Sequence, residues 1–483
     1  MIRTQTPPPL YEPMTCDAEK ITGEMPDMML VEEYIRKHGA FIGRYKYLNG
    51  LYKGFHGIYS ADPKDDYKPD ARLAVNFPKY ITKISLGYGY GVPITKKFVD
   101  ENLQEAIKGF EKRNHIQDHD SRLFKACFKY GHAWEFFYQD EKANTRMKVL
   151  SPAGFFCVYN STMDERALFA VRYGKKADGA TTYGEVYTRT KVREFVGSSY
   201  VGEIRDNPYG LIPAVEYMLD DERMGVYEDV APLIEAYNFT ISEKTNDVDA
   251  FAEAYLVIAG TEVDDDGVRR IRDQRIINIW GTDDAGEVKA AIVNFLAKPT
   301  ADATQENLLN RLERLIFQIS MAANISDDSF GNVASGEALA YKLLATGTML
   351  STFDTKIEKS LQKRYKIFCS LSTNYPSPDA WEDVEITFHR NAPKNVSAEI
   401  KNAQDAAGIV STETQLGLMP SVVPDVGAEM ERLAKEAQTA REAASAYGGA
   451  FTHNHEETAA SGAQDAGNGP RNNPGGVTDA EEQ

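Results

Sequence analysis

Four cysteines in 483 residues, no two of them close in sequence, are too few and too scattered for a CxxC redox centre, a zinc knuckle or a disulfide scaffold. Cys16, Cys127, Cys157 and Cys369 therefore read as free thiols in a reducing compartment. No apolar run reaches the ~18 residues a membrane helix needs, and the opening Met1-Ile2-Arg3 stretch lacks the charged-then-apolar pattern of a signal peptide. Cations are in deficit. Lys and Arg total 54 against 72 Asp and Glu, a formal charge of −18, which excludes a high-affinity binder that grips nucleic acid over its whole surface. Nucleotide fingerprints are missing too. The cluster Gly87-Tyr88-Gly89-Tyr90-Gly91 lacks both the Walker Lys-Ser/Thr and the dinucleotide spacing, so it reads as a flexible bend. No GxSxG nucleophile elbow occurs. What is present is a chain able to fold. Hydrophobic residues make up 42% and charged residues 26%, over a length that suits roughly two to four domains.

Composition divides the chain. Residues 1–30 carry Pro7, Pro8, Pro9, Pro13 and Pro26 with little apolar periodicity, and read as an extended or mobile arm. Residues 447–483 are dense in Gly, Asn and Pro and read as a disordered tail. His453 and His455 in that tail read as solvated rather than metal-binding.

Between the ends, residues 31–225 alternate short helical and strand patterns without a βαβ period, which is α+β in character. Helices are expected over 103–113 and 119–130, and strands over 133–138, 167–173 and 185–188. From about 227 the pattern turns to long helices. The first runs to about 252, with Pro232 in its first turn, and its second half (Ser242 to Asp247) is polar nearly all round. Such a helix is held between neighbours or faces water on several sides. Three β-rich runs follow, at 255–260, 276–281 and 290–296. A second helix begins near Asp302, where Asp302 and Gln305 have capping-box spacing, and Leu308, Leu312, Leu315, Ile316 and Ile319 form one apolar stripe. A third starts at Ser335 and runs to about Ser370, on the order of 50 Å, burying Leu350, Phe353, Ile357, Leu361, Tyr365 and Phe368, with Gly347 a candidate kink. A strand over 384–389 and a helical segment interrupted by Pro420 and Pro424 complete the folded part.

No constellation of catalytic groups stands out. His115 and His119 lie four apart beside Asp118 and Asp120, but no HExxH glutamate accompanies them, and a solvated turn is the better reading than a metal site. Asp264-Asp265-Asp266-Gly267 lacks the EF-hand alternation and reads as a charged turn. Arg269, Arg270, Arg272 and Arg275 form the densest basic cluster. They suit DNA or an acidic partner surface, or equally salt bridges to Asp264, Asp265, Asp266 and Asp273. Asn307, Arg311, Arg314 and Gln318 share a helix face apart from the leucines, a face for a wet cavity or for bulk solvent.

The order of parts resembles the portal proteins of long-tailed bacteriophages, the type found in siphophages of Gram-positive hosts. The resemblance rests on Val75-Asn76-Phe77-Pro78-Lys79-Tyr80-Ile81 running into Gly91-Val92-Pro93-Ile94, and on Tyr130-Gly131-His132-Ala133-Trp134-Glu135 followed by Leu150-Ser151-Pro152 and Val171-Arg172-Tyr173. It rests also on Asn207-Pro208-Tyr209-Gly210-Leu211-Ile212-Pro213, then Leu233-Ile234-Glu235-Ala236-Tyr237-Asn238 and Asn246-Asp247, and on Ser335-Gly336-Glu337-Ala338-Leu339. Together these span about residues 31–440. Each motif is short; their order and the helix–insert–helix–loop–helix layout carry the match.

The resemblance implies a structural protein without catalysis, cofactor or metal. It would be a ring-shaped homo-oligomer, usually a dodecamer, at one capsid vertex, through which double-stranded DNA is packaged and later ejected. By that similarity residues 31–225 and 340–392 would form a wing that includes the long helix 336–372. Residues 226–252 and 302–323 would form the stem, 253–301 a small β-rich clip, 324–335 a tunnel loop and 393–446 a helical crown. Implied partners are the terminase large subunit, head-completion or adaptor proteins, the major capsid and scaffolding proteins, and DNA without sequence preference, but no membrane. Implied locations are the virion, at the capsid portal vertex, and the host cytoplasm during assembly. Carried over by position, Ser329, Phe330, Asn332 and Ser335 would approach the DNA, the 307–318 face would look into the channel, and the four clip arginines would meet partners. The tunnel segment has no Lys or Arg, and Asp327 and Asp328 would repel phosphate, which suits a conduit that must let a polyanion slide. Two other readings are another oligomeric virion or adaptor protein without a DNA channel, and a hydrolase with an unrecognised site.

Overall fold

A computed structural model describes residues 9–65, 68–252, 255–259, 276–279, 292–296, 302–325, 336–391, 396–420, 422–423 and 425–452. The chain divides into two units, Met1–Pro393 and Lys394–Gln483.

The first unit is mixed α+β. It begins with β1 (Met14–Cys16), where a mobile arm was expected. β1 pairs in parallel with a central strand, Met14 opposite Val158, and Tyr11 is 2% exposed. The prolines that bar a helix here suit extended chain, and three paired residues are too few to leave a periodic signal. Asp27 then caps α1 (Met28–Lys53), its side chain accepting from the Met29 amide. Asn76 caps α2 (Phe77–Tyr90) in the same way, with Pro78 in the first turn.

β2 (Thr95–Lys97) leads through the Asp100 cap into α3 (Glu101–Arg113), and α4 (Ile116–Tyr130) follows after one sharp turn at His115, φ +48°. Eight strands come next: β3 (His132–Gln139), β4 (Thr145–Leu150), β5 (Phe155–Asn160), β6 (Ala167–Lys175), β7 (Thr182–Tyr187), β8 (Lys191–Val196), β9 (Ser199–Asp206) and β10 (Ala214–Met218). They form a six-stranded sheet in the order β1-β5-β6-β7-β8-β9 and a three-stranded sheet in the order β10-β3-β4. Apart from the β1–β5 pair, both sheets are antiparallel.

The long helices are α5 (Ala231–Ala252), α6 (Asp302–Ile319) and α7 (Gly336–Cys369). Between α5 and α6 lie β11 (Tyr255–Ala259), β12 (Ile276–Ile279) and β13 (Ile292–Leu296). β11 is central, parallel to β12 and antiparallel to β13. β14 (Glu385–Thr387) pairs with β2.

Two expectations shift. α5 begins at Ala231 rather than 227, because Tyr227 is buried and its hydroxyl donates to the Leu48 carbonyl at 2.8 Å. The glycine cluster 87–91 is the last turn of α2 rather than a bend. A Cβ on Gly89 would stand 2.8 Å from the Leu350 side chain, so the missing side chain lets α2 and α7 meet.

α7 buries the six residues expected of it, Leu350 through Phe368, in the core that also holds Phe110, Phe124 and Tyr217. A second core joins α1 to the six-stranded sheet through Val31, Tyr34, Phe156 and Phe169. No described helix is long and apolar enough to cross a membrane. The second unit comprises α8 (Val396–Asp405), α9 (Thr412–Gly417) and α10 (Val426–Thr452). α10 thus runs six residues beyond the expected start of the tail, its Ala-rich composition sustaining the helix. Residues 453–483 lie outside the described residues.

Candidate nucleic-acid interface

The face expected to look into a channel is on α6. Asn307, Arg311, Arg314 and Gln318 are all exposed. At 100° per residue they fall within one narrow stripe. The opposite side of α6 carries Leu309, Leu312, Ile316 and Ser320, each less than 9% exposed. This corrects the expected apolar stripe. Leu308 and Ile319 are 46% and 48% exposed, and they lie at the edge of the buried face instead of packing inward. Both sets of residues fit a helical period; the side taken by the core decided which was buried.

α5 holds α6 in place. Gln305 donates to Asp247 at 3.0 Å, and Lys244 pairs with Glu306. α5 is held in turn by a strap, residues 56–76, which connects α1 to α2. Its amides at Ala71, Leu73 and Val75 donate to Asn246 Oδ1, Ser242 Oγ and Asn238 Oδ1 at 2.6, 2.9 and 2.7 Å. All three acceptors are buried and lie four residues apart, so one helix face acts as the hydrogen-bonding edge that a neighbouring strand would otherwise supply. Further along, Lys64 meets Glu243 at 2.8 Å, and the Gly57 amide donates to Glu235 at 2.9 Å. The polar run Ser242–Asp247 is thus a helix held between neighbours, one of the two readings its pattern allowed.

At its C-terminal end α6 passes into a fixed turn. Met321 takes φ +52°, and its carbonyl accepts from Thr346 Oγ at 2.6 Å. The Tyr80 hydroxyl donates to the Ala323 carbonyl at 3.3 Å and accepts from the Ile325 amide at 2.8 Å. Ser329, Phe330, Asn332 and Ser335 lie outside the described residues, as do Arg269, Arg270, Arg272, Arg275 and the acidic run Asp264–Gly267.

His119 does find acidic company, but not as a metal site. Its Nε2 is 2.7 Å from Glu135 Oε1, and Asp120 is adjacent. Arg364, fully buried on α7, already supplies the cation, with bonds of 2.6 Å to Asp120 and of 2.8 and 3.0 Å to Glu135. Burial pushes the Glu135 carboxyl up, but Arg364 and His119 outweigh it and hold the group at about 2. His115 forms the turn before α4 and is not part of the cluster.

A sister network sits beside it. Glu216 takes bonds from His132 at 2.7 Å and from Arg223 at 2.8 and 3.1 Å. These overcome its burial and hold it at about 2. An open cleft of about 530 Å³ between the sheets, lined by Phe136, Tyr187 and Tyr209, also has its arginines engaged, since Arg172 and Arg205 both pair with Glu185. Among the described residues, then, these buried charges serve the fold, and the α6 stripe is an open polar surface with helical order.

Sequence reasoning missed the strap ladder and Arg364. Motif residues sit at both: Val75, Asn238 and Asn246 in the ladder, and Glu135 against Arg364. Another, Gly131, has φ +83°, and a Cβ there would fall 1.8 Å from the Arg223 carbonyl oxygen.

The family model described as "Phage portal protein, SPP1 Gp6-like" matches residues 31–443. No curated protein matches the sequence directly. Among solved structures, the neck of an empty GTA particle aligns over 71% of this chain and 89% of that chain, at 12% identity and a TM-score of 0.45. The virion of a native gene transfer agent (GTA) particle aligns over 71% and 87%, at 12% identity and 0.38. The neck of a native GTA particle aligns over 71% and 89%, at 11% identity and 0.41.

Proposed function

Since this chain belongs to the phage portal proteins of the SPP1 Gp6-like family, we propose that it assembles into a ring at one capsid vertex, a head–tail connector through which double-stranded DNA is packaged and ejected. The observation that carries this reading is the family match over residues 31–443. The protein is structural and has no catalysis of its own. Its place is the portal vertex of the virion.

The ring has twelve copies, the usual number in the family. Residues 226–252 and 302–323, which include α5 and α6, form the stem, 253–301 the clip, 324–335 the tunnel loop and 393–446 the crown. Residues 31–225 and 340–392 form the wing. The exposed α6 stripe supports placing Asn307, Arg311, Arg314 and Gln318 on the channel wall. Two arginines per subunit among neutral amides are a weak grip. They steady a polyanion without releasing many counterions per contact, so the duplex slides. Arg269, Arg270, Arg272 and Arg275 in the clip meet the terminase or the head-completion proteins.

Negative-stain electron microscopy of the purified protein, viewed end-on, tests the reading. The expected result is rings with a central hole wide enough for a duplex, twelve subunits around. Monomers or dimers at high concentration, also in the presence of scaffolding protein, would overturn it.

A further inference from the structure

Lysines gather without carboxylates where α1 and α4 end. Lys129 Nζ donates to Asn49 Oδ1 at 2.7 Å and lies over the rings of Tyr52 and Tyr130, 5.0 and 4.7 Å from their centroids. Burial, and then the charges of Lys125 and Lys53, hold its ammonium down at about 8. No carboxylate among the described residues pairs with any of the three. A lysine at a helix C-terminus answers the negative end of the helix dipole, and that accounts for Lys53 and Lys129 one at a time. It does not account for three cations gathered where two helices end in a chain of charge −18. Next to Lys53, just past the Gly54 cap, Phe55 is 71% exposed. An exposed phenyl ring beside cations suits a protein surface better than a phosphate backbone.

The complementary chemistry is on the same chain. Asp379, Glu382 and Asp383, at the short 3-10 turn Ala380–Asp383, are exposed and without ion pairs among the described residues. Lys366 lies over the Trp381 ring, 5.1 Å from its centroid. Val99, 80% exposed, follows β2, whose partner β14 begins just beyond this turn. The two patches cannot meet within one subunit. Arg364 bonds Asp120 near the start of α4, and Phe353 faces Phe128 near its end, so α7 runs antiparallel to α4. The acidic turn, anchored at Lys366, is therefore at the opposite end of α4 from Lys125 and Lys129. Opposed patches on one chain make a head-to-tail contact, the kind that closes a ring.

We infer that the face formed by Lys53, Lys125, Lys129 and Phe55 is an inter-subunit contact, and that it receives the acidic turn 379–383 of a neighbouring copy of this chain. The inference rests on the ring reading above. The doubly reversed K53E/K125E variant tests it, since Lys53 is exposed and Lys125 half-buried; circular dichroism checks its fold. Expected is at least a tenfold rise in the concentration needed for rings, and their recovery when D379K, E382K and D383K are added to the same chain. Wild-type rings treated with carbodiimide, which joins amines to carboxylates in contact, should yield linked dimers with Lys53 or Lys125 bonded to peptide 379–383. Wild-type rings that yield no such cross-link, together with a K53E/K125E variant that assembles like the wild type, would overturn the contact alone. A wild type that forms no rings would overturn the ring reading, and this contact with it.

Discussion

Arg364 joins α7 to α4 and β3, its guanidinium bonded to both Asp120 and Glu135. Arg364→Leu should leave buried Asp120 without this cation and Glu135 with His119 alone, and cost about 3–5 kcal/mol, read as a lower midpoint in urea unfolding. An unchanged midpoint would mean that solvent reaches the site. Two buried glutamates set the acid limit. Glu135 and Glu216, both held at about 2, ionise at lower pH folded than unfolded, where 4.5 is usual. Their contribution is whole above about 4.5 and is lost as the pH falls toward 2. His38 adds an earlier loss. Burial, with the charge of His132, holds it neutral down to about 3, so below its usual 6.5 the unfolded chain takes up a proton that the folded chain refuses. Stability should thus decline in two stages below about 6.5. The upper stage should shrink in His38→Gln, measured as unfolding free energy against pH, and what remains belongs to His132, which burial also holds below its usual value.

Among the secondary elements, α5 and α6 repay testing through their two distinct faces. Ser242→Ala and Asn246→Ala each remove an acceptor for a strap amide and should cost about 1–2 kcal/mol. Hydrogen exchange should quicken at Leu73 in the first and at Ala71 in the second, while the amides of α7 stay protected. On the other face, R311E/R314E should leave ring assembly intact and lower the amount of DNA packaged; full packaging would take the stripe off the channel wall. The helices from α3 onward, half of the fourteen described strands and the α7 core were legible in the sequence because each offers several turns or pleats of one period; α1, α2 and strands such as β4, β5 and β8 were not read from it. β1 was not, with only three residues. Nor was the choice between Leu308 and Leu309, since a helical period specifies spacing but not which way the helix is turned. The ladder was legible only as an oddity, a polar helix whose partner, 163–175 residues earlier in the chain, has no pattern of its own.

For the whole molecule, the strong sequence signals were the order of parts and the deficit of cations. Neither revealed that the lysines near the ends of α1 and α4 have no carboxylate partner among the described residues. Deleting residues 327–332 should keep the ring and impair packaging; dissociation on a sizing column would assign that segment to assembly instead. Reversing Arg269, Arg270 and Arg272 to Glu should weaken pull-down of a motor or connector partner, with the ring unchanged.

The strap ladder also behaves as a vernier. Four residues of α5 advance about 6.0 Å, whereas two residues of extended chain advance about 6.6 Å. Each rung therefore falls a further ~0.6 Å out of step, so a run of such rungs soon leaves hydrogen-bonding range. The ladder has three, at Ala71, Leu73 and Val75. Two scales of unequal pitch coincide over only a short span, and that span fixes where along the helix the strap can sit. A deletion of one residue between 71 and 75 would turn the wrong amides toward α5, whereas deletion of two would keep their parity and lose a single rung.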